Sequence, residues 1–343
     1  MSRFALQLAN LALAELSPAL IEEGVAEPLR RAASRVTAAA GIGLEARLGA
    51  KGGAIDAFQR FRHGDDTLPP FLDWVRAHAT GPDAAVGWSR LLDFCNLWLQ
   101  DPGFIREVWV EFDATGSDRP LPALFMDFAD DLRGQKVENA IRLLAGDTGR
   151  SWGALGDAFA HAQRLGIRPT AALGLMLSRD DAIRGTFVRP GLAGARALLE
   201  ALDWRGPWSD LKAVLQTPEL ADSNHQLALD FAPDLKPVAG IEFVFNNSAA
   251  DQKVLERILH AFVRQGWATQ ARCEGLLDWS GVMDPRSTQA PWPDAMIARE
   301  VIDPRPHLLV KHVGHLKLNL APGTPPVAKG YFALIREPAG LRP

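Results

Sequence analysis

The sequence predicts an α+β fold in which β-hairpins and pairs of helices alternate, the hairpins lining up as one antiparallel sheet that curls into a barrel or half-barrel. Three observations carry that expectation. "EVWVEFD" (107–113) alternates large apolar with acidic residues, the period-2 mark of a strand with two unlike faces. "LALDFAPDLKPVAGIEFVF" (227–245) and "LKLNLAPGTPPVAKGYFAL" (316–334) align without gaps at 8 identities in 19 positions, so the hairpin is an internal repeat. Helical patterns with apolar residues three and four apart fill the intervals between the hairpins.

Along the chain, residues 1–100 read as a helical N-terminal layer. "FALQLANLALAEL" sets Phe4, Leu8, Leu11 and Leu16 on one stripe and stops before Pro18. A second helix is expected over about 18–40, followed by a loose connection at Gly41, Gly43, Gly49, Gly52 and Gly53. "LPPFLDWVRAHA" and "VGWSRLLDFCNLWLQ" continue the helical layer, each behind a Pro or Gly boundary. Residues 101–343 carry the repeats. "VWVEFDATGSDRPLPALFMDF" leads into a helix at Gln135-Lys136-Val137, and Phe245 leads into Gln252-Lys253-Val254 after the same seven-residue step. A shorter hairpin at 173–188 precedes "LAGARALLEAL". Second helices are expected at 151–165, 207–217 and 268–279, and the last hairpin closes the chain. No Pro/Ser-rich linker divides these parts, so one compact unit is expected.

Composition narrows the function. A chain of 343 residues, 47% apolar, with net charge −4, has no general attraction for nucleic acid or anionic lipid. Two cysteines, Cys95 and Cys273, are too few for a disulfide framework and read as small core residues in a reducing interior. Gln7, Asn10 and Glu15 interrupt any signal-peptide core, and no window has the length of a membrane span, so a cytoplasmic location is expected.

Direction follows from the repeat. One face of each hairpin is apolar throughout: Val108, Val110 and Phe112; Leu173, Leu175 and Phe187; Leu227, Leu229 and Phe243; Leu316, Leu318 and Phe332. That face is expected to bury against the helices. The other face collects Trp109, Glu111, Asp113, Phe125, Asp127, Met176, Arg184, Thr186, Asp230, Glu242, His315, Lys317, Asn319, Lys329 and Tyr331. On an open sheet these residues meet solvent. On a curled one they line a concavity with charges of both signs, suited to a zwitterionic or peptide-like ligand.

Candidate catalytic motifs read as structural. His307, His312 and His315 in "HLLVKHVGH" do not converge as metal ligands, because His312 and His315 have opposite strand parity. Asp130 and Asp131 of "DFADD" precede a helix, where carboxylates favour the positive end of its dipole. "GAKGG" lacks the spacing of a phosphate loop. "PRSTQAPWPD" (285–294) is long and irregular, either a lid or a surface loop packed by Trp292. No catalytic residue, metal or cofactor is expected.

Two resemblances follow from these residues. The repeated hairpin-plus-helix units with a polar inner face resemble the aromatic prenyltransferases of the αββα-barrel class, over about 107–336. That resemblance implies an isoprenoid diphosphate held by basic strand residues inside a barrel, here Arg184, Lys317 and Lys329, and an allyl cation shielded by electron-rich rings. Tyr331 is the single tyrosine of the chain, so Trp109 and Phe125 would share that role. "VWVEFD" and "HLKLNLAPGTPPVAKGYF" resemble segments of peptide-binding accessory proteins of ribosomal-peptide natural-product clusters, of the crocagin type. This implies a non-catalytic protein that presents a precursor peptide to tailoring enzymes. Because Glu111, Asp127, Asp230 and Glu242 oppose a diphosphate, the peptide-presenting protein is the first expectation and the αββα-type transferase the alternative.

Overall fold

The computed structural model describes residues 4–338 apart from 22–23, 37, 51–55, 63–65, 81–85, 113–120, 130–134, 146–148, 178–181, 233, 247 and 303–306. Five units follow one another, each a set of helices and then a hairpin. Helices α1 (Phe4–Glu15) and α2 (Ala26–Ala33) precede β1 (Gly41–Arg47) and β2 (Asp56–Arg62). Helices α3 (Leu68–Ala79) and α4 (Val86–Gln100) precede β3 (Ile105–Phe112) and β4 (Ala123–Phe128). Next come α5 (Gln135–Ala145) and α6 (Gly149–Arg164) with β5 (Arg168–Met176) and β6 (Ala182–Val188). The fourth unit is α7 (Gly191–Ala201), α8 (Trp208–Gln216) and the short α9 (Pro218–Ala221) with β7 (His225–Phe231) and β8 (Leu235–Val244). The last is α10 (Ala249–Arg264), α11 (Gln270–Leu277), a three-residue β9 (Gly281–Met283) and α12 (Asp294–Ile302), ending in β10 (His307–Leu320) and β11 (Val327–Pro338).

Ten strands form a closed antiparallel barrel. Each pairs with its chain neighbour, β8 pairs with β10, and β11 pairs with both β10 and β1, which leaves no edge in the ring. β9 lies outside the ring against Leu309–Lys311. Closure is the outcome that the alternating pattern left open.

The N-terminal region differs from expectation. In place of a long second helix and a loose glycine connection stand a short α2 and the hairpin β1–β2. Ala, Gly and charged residues hide the strand period here. β1 is buried at all but its last position, so it does not alternate apolar with polar residues as a two-sided strand would. Without this hairpin the ring would lack its closing pair. The "GAKGG" residues 51–53 fall outside the described residues.

The core is the layer between barrel and helices. Val108, Val110, Phe112, Met126, Phe128, Leu173, Phe187, Leu227, Leu229, Phe243, Leu316, Leu318 and Phe332 are all buried there, as the repeat predicts. Each large side chain contributes roughly 1.5–3 kcal/mol. Local signals set the helix ends. Ser248 and Asp251 form a capping box at the start of α10, and Gly166 and Gly266, at φ +70° and +73°, stop α6 and α10. The loop 285–293 is fastened down: Asp284 turns it through Arg286 and Ser287, Thr288 donates to Glu15 of α1 at 2.9 Å, and Trp292 packs half-buried on the core.

Candidate functional site: the barrel interior

The pairing register settles which side chains face inward. Tyr331 stands opposite both His315 and Glu45, Lys317 opposite Lys329 and Glu242, Arg184 opposite Asp230, and Trp109 opposite Phe125 and Arg60. Trp109, Glu111, Asp127, Arg184, Asp230, Glu242, His315, Lys317, Asn319, Lys329 and Tyr331 therefore share one face, the lumen. Asp113, Asp130 and Asp131 lie outside the described residues.

A β-bulge decides the C-terminal third of that lumen. The β10–β11 register shifts between Val313 and His315, so Gly314 is an extra residue and the strand's parity reverses. His312 stands opposite Ala333 and His315 opposite Tyr331, both inward. The two histidines therefore share a side, where unbroken strand alternation would set them on opposite ones. The sequence held the signal: the helix-facing residues change from Leu309 and Val313 to Leu316, Leu318 and Leu320, odd to even across Gly314. Among the described residues no cluster of three metal-ligating side chains occurs.

Lys317, Arg184 and Lys329 each have a carboxylate of their own. Lys317, 2% exposed, donates to Glu242 at 2.7 Å. Arg184 grips Asp230 with two bonds of 2.7 and 3.0 Å. Lys329 pairs with Glu45, which also accepts from the Tyr331 hydroxyl. Burial alone would raise these carboxyls, but Lys317, His315 and Arg184 outweigh it and hold Glu242 down at about 2. Asp230 and Glu45 are likewise held below the usual range against burial, chiefly by Arg184 and Lys329. Burial and the neighbouring Glu45 push the Tyr331 phenol well up, so it remains a proton donor.

A second cluster lies toward the end where β1 begins. Arg60 bonds Glu107 at 2.6 Å and Glu337 at 2.9 Å, and Arg62 approaches both carboxylates at 3.3 Å. The Trp109 indole donates to Glu107 at 2.9 Å and lies beneath the Arg60 guanidinium, 5.6 Å from its centroid. Asp127 reaches Arg106 at 3.4 Å; burial and then Glu107 raise its carboxyl, with Arg106 opposing.

Aromatic rings complete the wall. Phe58 lies 5.9 Å from Tyr331 and 6.0 Å from Phe125, and His315 stacks on Tyr331 at 4.0 Å with planes 13° apart. Three inward glycines make room for these side chains. A Cβ on Gly43 would stand 3.0 Å from the Trp109 ring, one on Gly174 3.0 Å from Phe125, and one on Gly240 2.5 Å from Lys317 Cε. The rings thus lie flat on the wall and Lys317 crosses Gly240 to reach Glu242.

Glu45, Phe58, Arg60 and Arg62 also belong to this interior, and no sequence signal singles them out because their hairpin reads as helix and loop. Of the sequence-derived site residues, Arg184, Asp230, Glu242, Lys317, Lys329 and Tyr331 fall into connected pairs. Trp109 and Asp127 sit nearer the second cluster. Asn319 makes no side-chain hydrogen bond among the described residues.

No protein-family model and no curated protein matches the sequence. Solved structures do match in shape. A 6-dimethylallyl tryptophan synthase superposes with TM-score 0.52 at 14% identity, covering 96% of each chain. A 5-dimethylallyltryptophan synthase from Streptomyces coelicolor gives TM-score 0.52 at 14% identity over 95% of each. The prenyltransferase PriB, in a ternary complex with L-tryptophan and dimethylallyl thiolodiphosphate, gives TM-score 0.54 at 14% identity over 99% of this chain and 98% of its own. The similarity falls on the prenyltransferase side of the two resemblances, and at this identity it concerns architecture: the chain has the closed αββα-type barrel found in aromatic prenyltransferases.

Proposed function

We propose that the protein is a small-molecule transferase of the αββα-barrel kind, joining an allylic diphosphate donor to an aromatic acceptor inside the barrel. The observation that carries this reading is the composition of one enclosed surface: aromatic walls from Phe58, Trp109, Phe125 and Tyr331 meet the buried carboxylates Glu45 and Glu111 and the cations Arg184, Lys317 and Lys329. The rings would sandwich a flat acceptor, and Glu111 would accept its N–H or O–H. Lys317 and Lys329, directly opposite in the ladder, would take the departing diphosphate together with Arg184. The similar barrel of PriB forms a ternary complex with L-tryptophan and dimethylallyl thiolodiphosphate, which supports the pairing of ligands proposed for this one. The diphosphate would have to exchange with Glu242 and Asp230 on their cations, so its ground-state affinity is expected to be weak. Incubation with dimethylallyl diphosphate, magnesium and a panel of indoles and aromatic amino acids, read by mass spectrometry, tests the reading. An adduct that is lost in Lys317→Ala supports it; no adduct and no calorimetric diphosphate binding overturn it.

A second reading rests on the same pairing. Cations already neutralised by the chain's own carboxylates suit a binding protein that holds a zwitterionic ligand or a precursor peptide for tailoring enzymes. Calorimetry with a leader-type peptide tests it, with binding weakened in Glu242→Ala or Glu111→Ala as the supporting result.

A further inference from the structure

We propose that His315 is the catalytic base of the lumen, the group that removes the proton from the acceptor ring once the new bond has formed. The inference rests on the transferase reading and adds a residue role to it. Three features of the geometry carry it.

The first is the bulge. An extra residue at Gly314 turns His315 inward, where regular alternation from Leu309 and Val313 would send it toward the helices. Bulges commonly re-aim a side chain beside an active site. The second is orientation. The imidazole stacks flat on Tyr331, its partner across the strand ladder, so that one ring face is covered by the phenol. Tyr331 also touches Phe58, so the imidazole adjoins the aromatic wall proposed to hold the acceptor.

The third is availability. Among the described residues neither ring nitrogen of His315 hydrogen-bonds to the protein. The competing carboxylates are committed: Glu45 to Lys329 and Tyr331, Glu242 to Lys317, Asp230 to two nitrogens of Arg184, and Glu111, in the transferase reading, to the acceptor's N–H or O–H. The charged and titratable groups around His315 are Glu242 of β8, Glu45 of β1, Tyr331 of β11, and His312 and Lys317 of its own strand. Burial outweighs the attraction of Glu242 and sets the imidazole at about 4, so at neutral pH it carries a free lone pair. A weak base suffices, because the protonated ring intermediate is a very strong acid.

A π pair of the acceptor forms the carbon–carbon bond while the donor's C–O bond breaks and diphosphate leaves with the C–O bonding pair. The former C–H pair then restores aromaticity as the proton passes to a His315 nitrogen. The imidazolium is stabilised by Glu242 and Glu45, and it releases the proton to solvent after product departure.

His315→Gln keeps polarity but cannot accept a proton, and His315→Ala opens space for a diffusible base. With tryptophan and dimethylallyl diphosphate as probes, His315→Gln should bind each within about threefold of wild type while kcat falls by on the order of 100-fold. Deuterium at the reacting carbon should slow the variant more than the wild type, and added imidazole should restore part of the His315→Ala rate. A kcat within about threefold of wild type, or a loss that imidazole leaves unchanged in a variant whose circular dichroism shows it folded, overturns the inference. Should the wild type transfer nothing, the transferase reading fails, and histidine-labelled NMR with tryptophan and dimethylallyl thiolodiphosphate then judges His315 alone. Shifted imidazole signals that are missing from His315→Gln support a ligand-facing base; unmoved signals overturn it.

Discussion

Replacing Lys317 with Met should destabilise the protein by about 3 kcal/mol, and replacing Glu242 with Leu in the same chain should return most of it. The ammonium lies 2.7 Å from the carboxylate, with 3% and 14% of the two side chains exposed. At that distance the attraction is about 6 kcal/mol at an effective dielectric of 20, and it offsets a desolvation cost of several kcal/mol for each ion. Removing only the lysine leaves Glu242 desolvated and without its closest cation, which typically costs 3–5 kcal/mol. Arg184 also acts on Glu242, which puts the expected loss at the low end of that range. In urea, with a slope of roughly 3 kcal/mol per molar, the midpoint should fall by about 1 M. Removing both charges replaces an ion pair with apolar volume, commonly a neutral change. The reasoning is refuted if the single variant stays within about 0.5 kcal/mol of wild type, or if the double variant is no more stable than the single one.

Acidification should destabilise the fold in two stages. His315, His225 and His312 are pushed down by burial, so between about 6.5 and 4 the unfolded chain binds more protons and stability falls as pH falls. His315 alone contributes at most about 3 kcal/mol to that limb, which should flatten in His315→Gln during pH-dependent urea melts. Below about 4.5 the depressed Glu242, Asp230 and Glu45 lose their stabilising ion pairs as they approach protonation, so a second, steeper loss should follow. Gly43→Val should force the Trp109 ring off the wall, costing about 1–3 kcal/mol and shifting tryptophan emission. Cys95 and Cys273 are buried, burial raising both thiols and setting Cys273 at about 12, so neither should react with iodoacetamide at pH 8 until denaturant is added.

Much of the fold is legible in the chain because a repeated hairpin repeats its burial. Leu227, Leu229 and Phe243 recur as Leu316, Leu318 and Phe332, and identical apolar positions against helices leave little choice of face. Once that face is known, Lys317, Asn319, Lys329 and Tyr331 must point the other way. The first hairpin is not legible in this manner. Its lumen face carries Gly41, Gly43 and Glu45, and its helix-facing side carries the buried Gln59, whose amide donates to the Ala33 carbonyl at 2.8 Å. Neither face announces a strand.

Sequence by itself therefore determined the unit of construction, the helix-facing surface and the roster of polar residues opposite it, since local periodicity reports which side of a strand meets water or core. Tertiary structure alone decided three things. It closed the ring, because the β11–β1 pairing joins residues nearly 300 positions apart. It aligned His312 with His315, because one inserted residue at Gly314 reverses parity, and the partner strand's register fixes the place of a shift that the leucine spacing marks only as odd to even. And it matched three lumen cations with carboxylates from other strands, Lys329 with Glu45, Lys317 with Glu242 and Arg184 with Asp230. Charge pairing depends on distance across the barrel, which no local pattern encodes.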